Sequence, residues 1–373
     1  MADTLHNDAL RLMGALRHKI FSGPKILFCH LNNTCNLSCL FCVHHGTAVK
    51  VPAKETRLEA ETLDRVFDDC QKLNVSHICF SAKGEPTLHP DFESIVHHAG
   101  RKGLAVTLVT NGLFPHKLLK TIHRIHAVKF SLSAANAKDF FRIHRPKNLG
   151  DFDTVIKNME LLGRARSRSA RTSLNFVLHA LNYHTLPAVI DLARRVKIDE
   201  LRIKCEHVEH RTSPLALTPP LMKKAEKLLF AVYQKGGLGR VKNNLSAHYA
   251  ETGKFLPAGA ERRKPGPCHM GWFATFLTER GDVTACCSTQ KSVKIGNVHD
   301  KGLAELWMSA RYHRVRLKAA SGFFQKKMYN QLCRGCFLLQ ENTALESFRL
   351  LYKRDASRRR QDYSKQYAWT LSP

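Results

Sequence analysis

Three cysteines with chemically informative spacing lie in the stretch CNLSCLFC, which begins at Cys35. Cys35, Cys39 and Cys42 form a CxxxCxxC pattern, and their thiolates could hold three irons of a cubane cluster. Iron–sulfur clusters normally have four cysteine ligands, so a local set of three implies a distant fourth ligand or an open coordination position. Zinc is the alternative metal, because His44 and His45 lie close enough in sequence to act as further ligands.

A second group of cysteines occupies the C-terminal third of the chain. Cys268 precedes a predicted β-hairpin, Cys286 ends it, and Cys333 with Cys336 forms a CxxC pair after a predicted helix. A compact fold could bring these four thiols around one metal centre, either a structural zinc ion or an iron–sulfur cluster. Cys287 is an alternative to Cys286, because either neighbour at a strand end could reach the same centre.

The remaining features of the chain predict a reducing, cytoplasmic location. The N-terminal segment reads as an amphipathic helix without an apolar export signal, and no stretch of about 18 apolar residues predicts a membrane span. In such a compartment cysteines are metal ligands or buried thiols more often than disulfides. Four further cysteines lie on apolar faces and are expected to be buried, namely Cys29, Cys70, Cys79 and Cys205.

The elements that must position the first cysteine loop alternate between strands and helices. Strands are predicted at residues 25–34, 76–82, 104–112, 127–134, 172–180 and 199–208. This alternation predicts an α/β fold with a parallel sheet, either an open doubly wound sheet or part of a (β/α) barrel. The carboxyl ends of the first four strands would then share one rim, which carries the cysteine loop and the turns KGEP, TNG and SAAN.

Composition shifts divide the chain into five predicted segments. They are an N-terminal helix (1–24), a core (25–208), a connecting segment rich in turn residues (209–267), a hairpin and helix module (268–336) and a basic tail (337–373).

The formal net charge is +28, which favours an anionic partner or a generally basic surface. Basic runs occur at 164–171, 261–264 and 353–360. Aromatic residues do not interleave these runs, so recognition of nucleic acid by base stacking is not favoured.

The cysteine loop, with Phe41 just before its last cysteine and a strand before its first, resembles the radical S-adenosylmethionine (SAM) superfamily. That resemblance implies a partial (β/α)6 TIM-type barrel with a small C-terminal β-hairpin/helix iron–sulfur module. It also implies that SAM chelates the open iron of a [4Fe–4S] cluster and is cleaved reductively to a 5′-deoxyadenosyl radical, which abstracts hydrogen from a substrate. A reducing partner such as flavodoxin or ferredoxin would supply the electron.

The same resemblance implies which residues contact SAM. The KGEP turn is similar to the family's GGEP stretch, except that Lys83 replaces the first glycine and puts the expected close backbone approach there in question. A plain proline-containing turn is the alternative interpretation of this stretch. The implied SAM contacts are Gly84, Glu85, Pro86, Asn111, Ser131, Ser133 and Asn182.

The C-terminal cysteines, with the IGNVHDKGLAELWMSARYHRVR stretch between them, resemble the SPASM/Twitch modules that follow radical SAM cores. The resemblance implies one auxiliary [4Fe–4S] cluster, because the further cysteines of full SPASM modules are missing. An auxiliary cluster with four protein ligands would serve electron transfer or structural support. The first role favours oxidation or crosslinking of the substrate.

Several alternatives stay open at this point. A redox-neutral radical SAM epimerase or mutase would need no electron acceptor, and a zinc-containing nucleic-acid-binding protein would also explain the charge. The substrate class is a small molecule, an anionic conjugate or a peptide. The short N-terminal segment leaves no room for a leader-binding domain, which slightly favours a small or anionic molecule. No residue is assigned as catalytic acid or base.

Overall fold

The structure is a computed structural model that describes most of the chain. The described residues are 2–46, 54–81, 83–165, 170–205, 214–234, 240–243, 267–286 and 293–322, together with Asn342 and Leu345. Cys287, Cys333 and Cys336 lie outside these ranges, as do the basic runs at 261–264 and 353–360.

Seven strands form the parallel part of the sheet and follow one another in chain order. They are β1 (Ile26–Cys29), β2 (His77–Phe80), β3 (Ala105–Thr110), β4 (Ala127–Ser131), β5 (Arg171–Leu178), β6 (Glu200–Cys205) and β7 (Arg240–Asn243). Each pairs in parallel with the next, so all seven carboxyl ends lie at the same edge. The predicted α/β class is confirmed.

Helices separate these strands, and two more follow the sheet. They are α1 (Ala2–Arg17), α2 (Ala60–Lys72), α3 (Phe92–Arg101), α4 (Leu119–Ile122), α5 (Ala137–His144), α6 (Asp151–Ala165), α7 (Leu186–Arg195), α8 (Pro219–Gln234), α9 (Leu303–Met308) and α10 (Ala310–Ala320). The amphipathic helix α2 is representative, because Leu63, Val66, Phe67 and Cys70 recur at helical spacing and are all buried.

The strand and helix alternation continues beyond the six strands predicted from sequence. Strand β7 lies within residues 209–267, which the sequence predicts to be a connecting segment, and helix α8 precedes it there. Strand β7 pairs in parallel with β6 over four residues. Its sequence, RVKN, lacks the apolar run that marks an interior strand, and this short edge strand therefore gives little sequence signal.

The C-terminal module continues the same sheet. Strands β8 (Ala274–Leu277), β9 (Asp282–Thr284) and β10 (Lys294–Asn297) form an antiparallel meander. Strand β8 also pairs in parallel with β1. The ten strands therefore form one open sheet in the order β10-β9-β8-β1-β2-β3-β4-β5-β6-β7.

Buried contacts fix the module against the core. Phe28 of β1 stacks on Phe276 of β8, with ring centroids 4.8 Å apart. Behind the hairpin, the buried guanidinium of Arg316 lies over the rings of Trp307 and Tyr312 and donates to the carbonyl of Gly271. A second guanidinium nitrogen donates to the carbonyl of Trp307 at 3.0 Å, so this arginine links α9 and the segment before β8 to α10.

The cysteines predicted to be buried are buried where the structure describes them. Cys29 and Cys70 are fully enclosed, Cys79 nearly so, and the side chain of Cys205 lies outside the described set. Within the described part of the chain, no helix is both long and apolar enough to cross a membrane.

Candidate functional site

The cysteine loop follows β1 at the carboxyl edge of the sheet, and the end of α5 holds it there. The backbone N–H of Ser38 donates to the carbonyl of His144 at 3.2 Å, and that of Leu40 donates to the carbonyl of Ile143 at 2.9 Å. These carbonyls belong to the last turn of α5 and would otherwise lack partners. The loop therefore caps the C-terminal end of α5, and these two hydrogen bonds fix the position of the loop.

The three thiols of the loop lie near enough to influence one another. Burial raises the pKa of Cys35 to about 11, and the neighbouring Cys42 adds to that rise. Burial raises the pKa of Cys39 further, with contributions from Cys35 and Cys42. Thiols held neutral in this way lose their protons when a metal supplies positive charge, which is the behaviour expected of metal ligands.

Each of the three sulfurs has an N–H group directed at it. The backbone N–H groups of His44 and His45 contact the Cys42 sulfur at 3.4 and 3.3 Å. The side-chain amide of Asn111 lies 3.9 Å from the Cys35 sulfur. The third contact joins the Cys39 sulfur to His144 Nδ1 at 3.1 Å. Such donors stabilise thiolates bound to a metal centre, so the loop fits the iron–sulfur cluster implied by its spacing.

A single zinc ion fits the loop less well. Among the residues that the structure describes, no group of three or more His, Cys, Asp or Glu side chains is gathered closely enough to hold one metal ion. His44 and His45 approach Cys42 through their backbone N–H groups.

Glu85 braces the strand ends around the loop. Its buried carboxylate accepts from the N–H and hydroxyl of Thr87 at 3.2 and 2.8 Å, from the hydroxyl of Thr110 at 2.7 Å and from the N–H of Asn111 at 2.7 Å. Burial raises the pKa of Glu85, and these donors oppose the rise. The carboxylate thus joins the turns after β2 and β3.

Within the KGEP turn, Gly84 packs closely against the backbone that leads into the cysteine loop. A Cβ atom there would lie 2.0 Å from the carbonyl oxygen of Thr34 and 2.4 Å from Oδ1 of Asn32. The N–H of Glu85 donates to that same Thr34 carbonyl at 2.7 Å. Pro86 then begins a short, buried 3-10 turn.

Asn111 connects the turn after β3 to the cysteine loop. Its side-chain amide donates to Oδ1 of Asn36 at 2.7 Å, and its own Oδ1 accepts from the N–H of Leu113 at 2.8 Å. Asn36 in turn donates to the carbonyl of Leu113 at 2.8 Å. The pair of asparagines therefore fixes the distance between the two turns.

The other predicted SAM contacts lie on β4 and beyond β5. Ser131 is half-buried at the end of β4. Ser133 is buried, and its hydroxyl accepts from the N–H of Val177 at 3.0 Å. Asn182 is fully enclosed, donates to the carbonyls of Ser133 and Val177 and accepts from the N–H of His179. The side chains of Ser133 and Asn182 thus tie β4 to β5.

An ion pair between a partly exposed lysine and a buried glutamate joins the KGEP turn to the C-terminal hairpin. Lys83 Nζ lies 2.9 Å from Oε1 of Glu279, a residue of the β8–β9 turn that is only 2% exposed. The second carboxylate oxygen lies 4.0 Å from Nδ1 of His30, which directly follows β1. Burial lowers the pKa of His30 to about 4, so this imidazole is neutral at physiological pH.

The second cysteine set is described in part. Cys268 donates its backbone N–H to the carbonyl of Ala319 at the end of α10 and precedes β8, and Cys286 follows β9. Cys286 therefore lies at the end of the hairpin opposite its turn. By the register of β8 on β1, Cys286 is level with Ile26, about 10 Å along the strand from Cys29. The positions of Cys333 and Cys336 lie outside the described residues.

Two histidines of the site were not predicted from sequence. His144 contacts Cys39 from 105 residues away. His179 is fully enclosed beside the ring of Phe41, with the two ring centroids 5.9 Å apart. Neither lies in a motif with ligand spacing, and only the position of His179 at the end of a predicted strand gave a signal.

Two protein-family matches coincide with these two regions. The radical SAM superfamily matches residues 30–193, and the SPASM iron-sulfur cluster-binding domain matches residues 268–337. Together they cover more than half of the chain. The first match contains the cysteine loop and β2 to β5, and the second contains the hairpin and the C-terminal cysteines.

Relatives and solved structures agree with these matches. The PqqA peptide cyclase of Xanthomonas euvesicatoria is 23% identical over 84% of this chain and 80% of its own length. That of Gluconobacter oxydans is 26% identical over 77% of both chains.

Among solved structures, SuiB of Streptococcus suis bound to its precursor peptide SuiA has a TM-score of 0.60 at 16% identity, covering 84% of this chain and 72% of SuiB. Native anSMEcpe with bound AdoMet has the same TM-score at 18% identity, covering 84% of this chain and 89% of anSMEcpe. These structural likenesses concern the fold.

The family matches agree with the positions of the cysteines in the structure. The match to the first family begins at His30, the residue after β1, and the three cysteines that follow lie together with N–H groups on each sulfur. The match to the second begins at Cys268. The chain therefore belongs to the radical SAM superfamily and has a C-terminal SPASM iron–sulfur domain.

Proposed function

We propose that this protein is a radical SAM enzyme that oxidises or crosslinks a peptide. The observation that supports this most strongly is the similarity to PqqA peptide cyclases over 84% of the chain, spanning both iron–sulfur regions. A continuous sheet joins these two regions through β1 and β8. The peptide assignment replaces the slight preference for a small or anionic molecule that the short N-terminal segment suggested.

The two domains define the cofactors. The radical SAM domain implies a [4Fe–4S] cluster and SAM, and the SPASM domain implies auxiliary iron–sulfur chemistry. When bound, these cofactors supply a 5′-deoxyadenosyl radical and an electron acceptor. The protein contributes ligands, orientation and exclusion of water.

In this proposal Cys35, Cys39 and Cys42 hold the SAM-binding cluster. Gly84, Glu85 and Pro86 are the proposed SAM contacts in the KGEP turn, and the Glu85 carboxylate, which accepts four hydrogen bonds within the protein, fixes the position of that turn. Asn111 positions the neighbouring turn. Ser131 stays a candidate for direct contact. Ser133 and Asn182 hold the ends of β4 and β5 in place near SAM, because their side chains form hydrogen bonds to the backbone of these segments.

One auxiliary [4Fe–4S] cluster is held by Cys268, Cys286, Cys333 and Cys336, within a module at 268–336 that follows the core at 25–208. Loss of a hydrogen atom, then an electron and a proton, oxidises the substrate by two electrons in total. When bound, the 5′-deoxyadenosyl group would accept the hydrogen atom and the auxiliary cluster would accept the electron, while the proton would pass to solvent. If a second group of the peptide attacks the oxidised carbon, a crosslink forms.

The test uses anaerobically reconstituted protein with SAM, a reductant such as reduced flavodoxin, and a library of ribosomal precursor peptides. We expect 5′-deoxyadenosine to accumulate and one peptide to lose two hydrogen atoms, as measured by mass spectrometry. The variant in which Cys35, Cys39 and Cys42 are replaced by alanine is the control and should give neither product.

Other outcomes would favour the alternatives. Cleavage of SAM with an unchanged peptide mass but an inverted or rearranged residue would indicate a redox-neutral epimerase or mutase. Zinc without acid-labile sulfide would overturn the radical proposal, and the net charge of +28 would then direct the search to nucleic acids.

A further inference from the structure

His144, the last residue of α5, makes the shortest side-chain contact to a cysteine of the loop. Its Nδ1 lies 3.1 Å from the Cys39 sulfur, compared with 3.9 Å from the Asn111 amide to the Cys35 sulfur. It is 1% exposed, so no bulk water competes for this contact. The contact is also shorter than the backbone contacts to Cys42, at 3.3 and 3.4 Å.

The direction of this hydrogen bond follows from the other ring nitrogen. The backbone N–H of Ser133 donates to Nε2 of His144 at 2.8 Å, so Nε2 is an acceptor and carries no proton. A neutral imidazole has one N–H group, which must then be on Nδ1. Nδ1–H therefore donates to the Cys39 sulfur, and the sulfur accepts.

The donor is rigidly held. Phe140 stacks on the His144 ring at 4.9 Å between centroids, and Phe41 meets it edge-on at 5.7 Å. Ser133, which fixes the tautomer, is itself held by Val177 and Asn182. The hydrogen bond is thus set by the packing of β4, β5 and α5 before any cofactor binds.

We propose that His144 is a positioning residue that raises the reduction potential of the SAM-binding [4Fe–4S] cluster by hydrogen bonding to Cys39. This inference rests on the proposed function, because it requires the cluster to be held by Cys39. A donor to a ligating sulfur withdraws negative charge, and the reduced cluster carries one more electron than the oxidised cluster. The hydrogen bond therefore favours the reduced form and makes reduction by a flavodoxin-type donor easier.

The experiment is a redox titration of the reconstituted holoenzyme, monitored by electron paramagnetic resonance. The signal that changes when SAM is added identifies the open cluster and separates it from the auxiliary cluster. His144→Phe keeps an aromatic ring but has no donor, whereas His144→Asn keeps an N–H group near the position of Nδ1. Phe140→Leu is the matched control, because it alters the packing of the ring and keeps the donor.

We expect His144→Phe to lower the potential, so that the equilibrium constant for reduction by the same donor falls up to about tenfold, the effect of losing one hydrogen bond. His144→Asn and Phe140→Leu should stay near the wild-type value. The proposal is overturned if His144→Phe, with its full iron content, keeps the wild-type potential. It is also overturned if His144→Asn shifts the potential as much as His144→Phe, because packing would then be the cause.

A second measurement needs no variant and applies even if His144→Phe fails to load iron. Pulsed electron paramagnetic resonance of the reduced wild-type protein, labelled with 15N at histidine Nδ1, should show coupling between that nitrogen and the cluster spin. Absence of the coupling would overturn the proposal. A wild-type protein that binds no cluster would instead overturn the proposed function, so the two failures are distinguishable.

Discussion

The two cysteine regions of this protein are stabilised in different ways. The first set lies within one loop, and buried side chains that follow β2 and β3, Glu85 and Asn111 among them, fix its surroundings. The second set is distributed over the C-terminal module. That module joins the core through the β1–β8 pair, the Lys83–Glu279 ion pair and hydrogen bonds such as that from the Trp307 indole to the carbonyl of Ser22. Ligands that are close in sequence still need distant residues to position them, whereas dispersed ligands depend on the fold of a whole module.

The largest effect should come from the first region. Replacing Cys39 with alanine removes a central ligand and should reduce SAM cleavage to background, with the iron content falling from about eight to about four per chain. Iron and sulfide analysis together with 5′-deoxyadenosine measurement checks this. Retention of about eight irons in Cys39→Ala would show that the loop is not the ligand set.

Replacing Cys286 with alanine should separate the two regions. We expect about four irons to remain, SAM cleavage to persist and oxidised peptide to be lost, because the electron acceptor is missing. Comparing 5′-deoxyadenosine with peptide product measures this. If Cys287→Ala has this effect and Cys286→Ala does not, the neighbouring cysteine is the ligand.

Removing the Glu85 carboxylate, which joins the turns after β2 and β3, should cause a large loss of stability. Glu85→Ala leaves the donors of Thr87, Thr110 and Asn111 without their acceptor and should cost about 2–4 kcal/mol in the free energy of unfolding. Urea unfolding under anaerobic conditions measures the change. Glu93→Ala is the matched control, because Glu93 makes a single exposed hydrogen bond to Thr121. Equal losses in the two variants would contradict the bracing role.

The Lys83–Glu279 ion pair, which joins the two regions, should contribute less to the free energy of unfolding. A double-mutant cycle of Lys83→Met and Glu279→Gln is expected to give a coupling of about 1–2 kcal/mol, because the carboxylate is buried and the lysine is partly exposed. Unfolding of the two single variants and the double variant gives this value. A coupling near zero would mean that the pair does not hold the hairpin to the core.

The smallest effect is expected on the surface of the second region. Lys301 and Glu305 form an ion pair one turn apart on an exposed helix start. Lys301→Ala should leave the urea midpoint unchanged within error, because solvent screens such pairs. A clear shift would show that the module depends on its surface charges.

The sequence predicted the parts of this arrangement that have local signals. Six strands and the spacing of Cys35, Cys39 and Cys42 follow from hydrophobic runs and motif spacing. Strand β7 was missed because RVKN has almost no apolar signal. The parallel pairing of β8 with β1 and the contact of His144 with Cys39 join residues far apart in the chain, and only the packing of the sheet brings them together.

The pairing of β1 with β8 has a consequence for synthesis on the ribosome. Ile26 of β1 pairs with Ala274 of β8, and the indole N–H of Trp272 donates to the carbonyl of Lys19. Strand β1 and the segment before it therefore gain these partners only after most of the chain has emerged from the ribosome. Contacts of such long sequence separation form slowly, and an unpaired strand edge favours aggregation. Slow translation or chaperone binding over that interval should therefore influence the yield of native enzyme more strongly than for a barrel whose strands pair only with their chain neighbours.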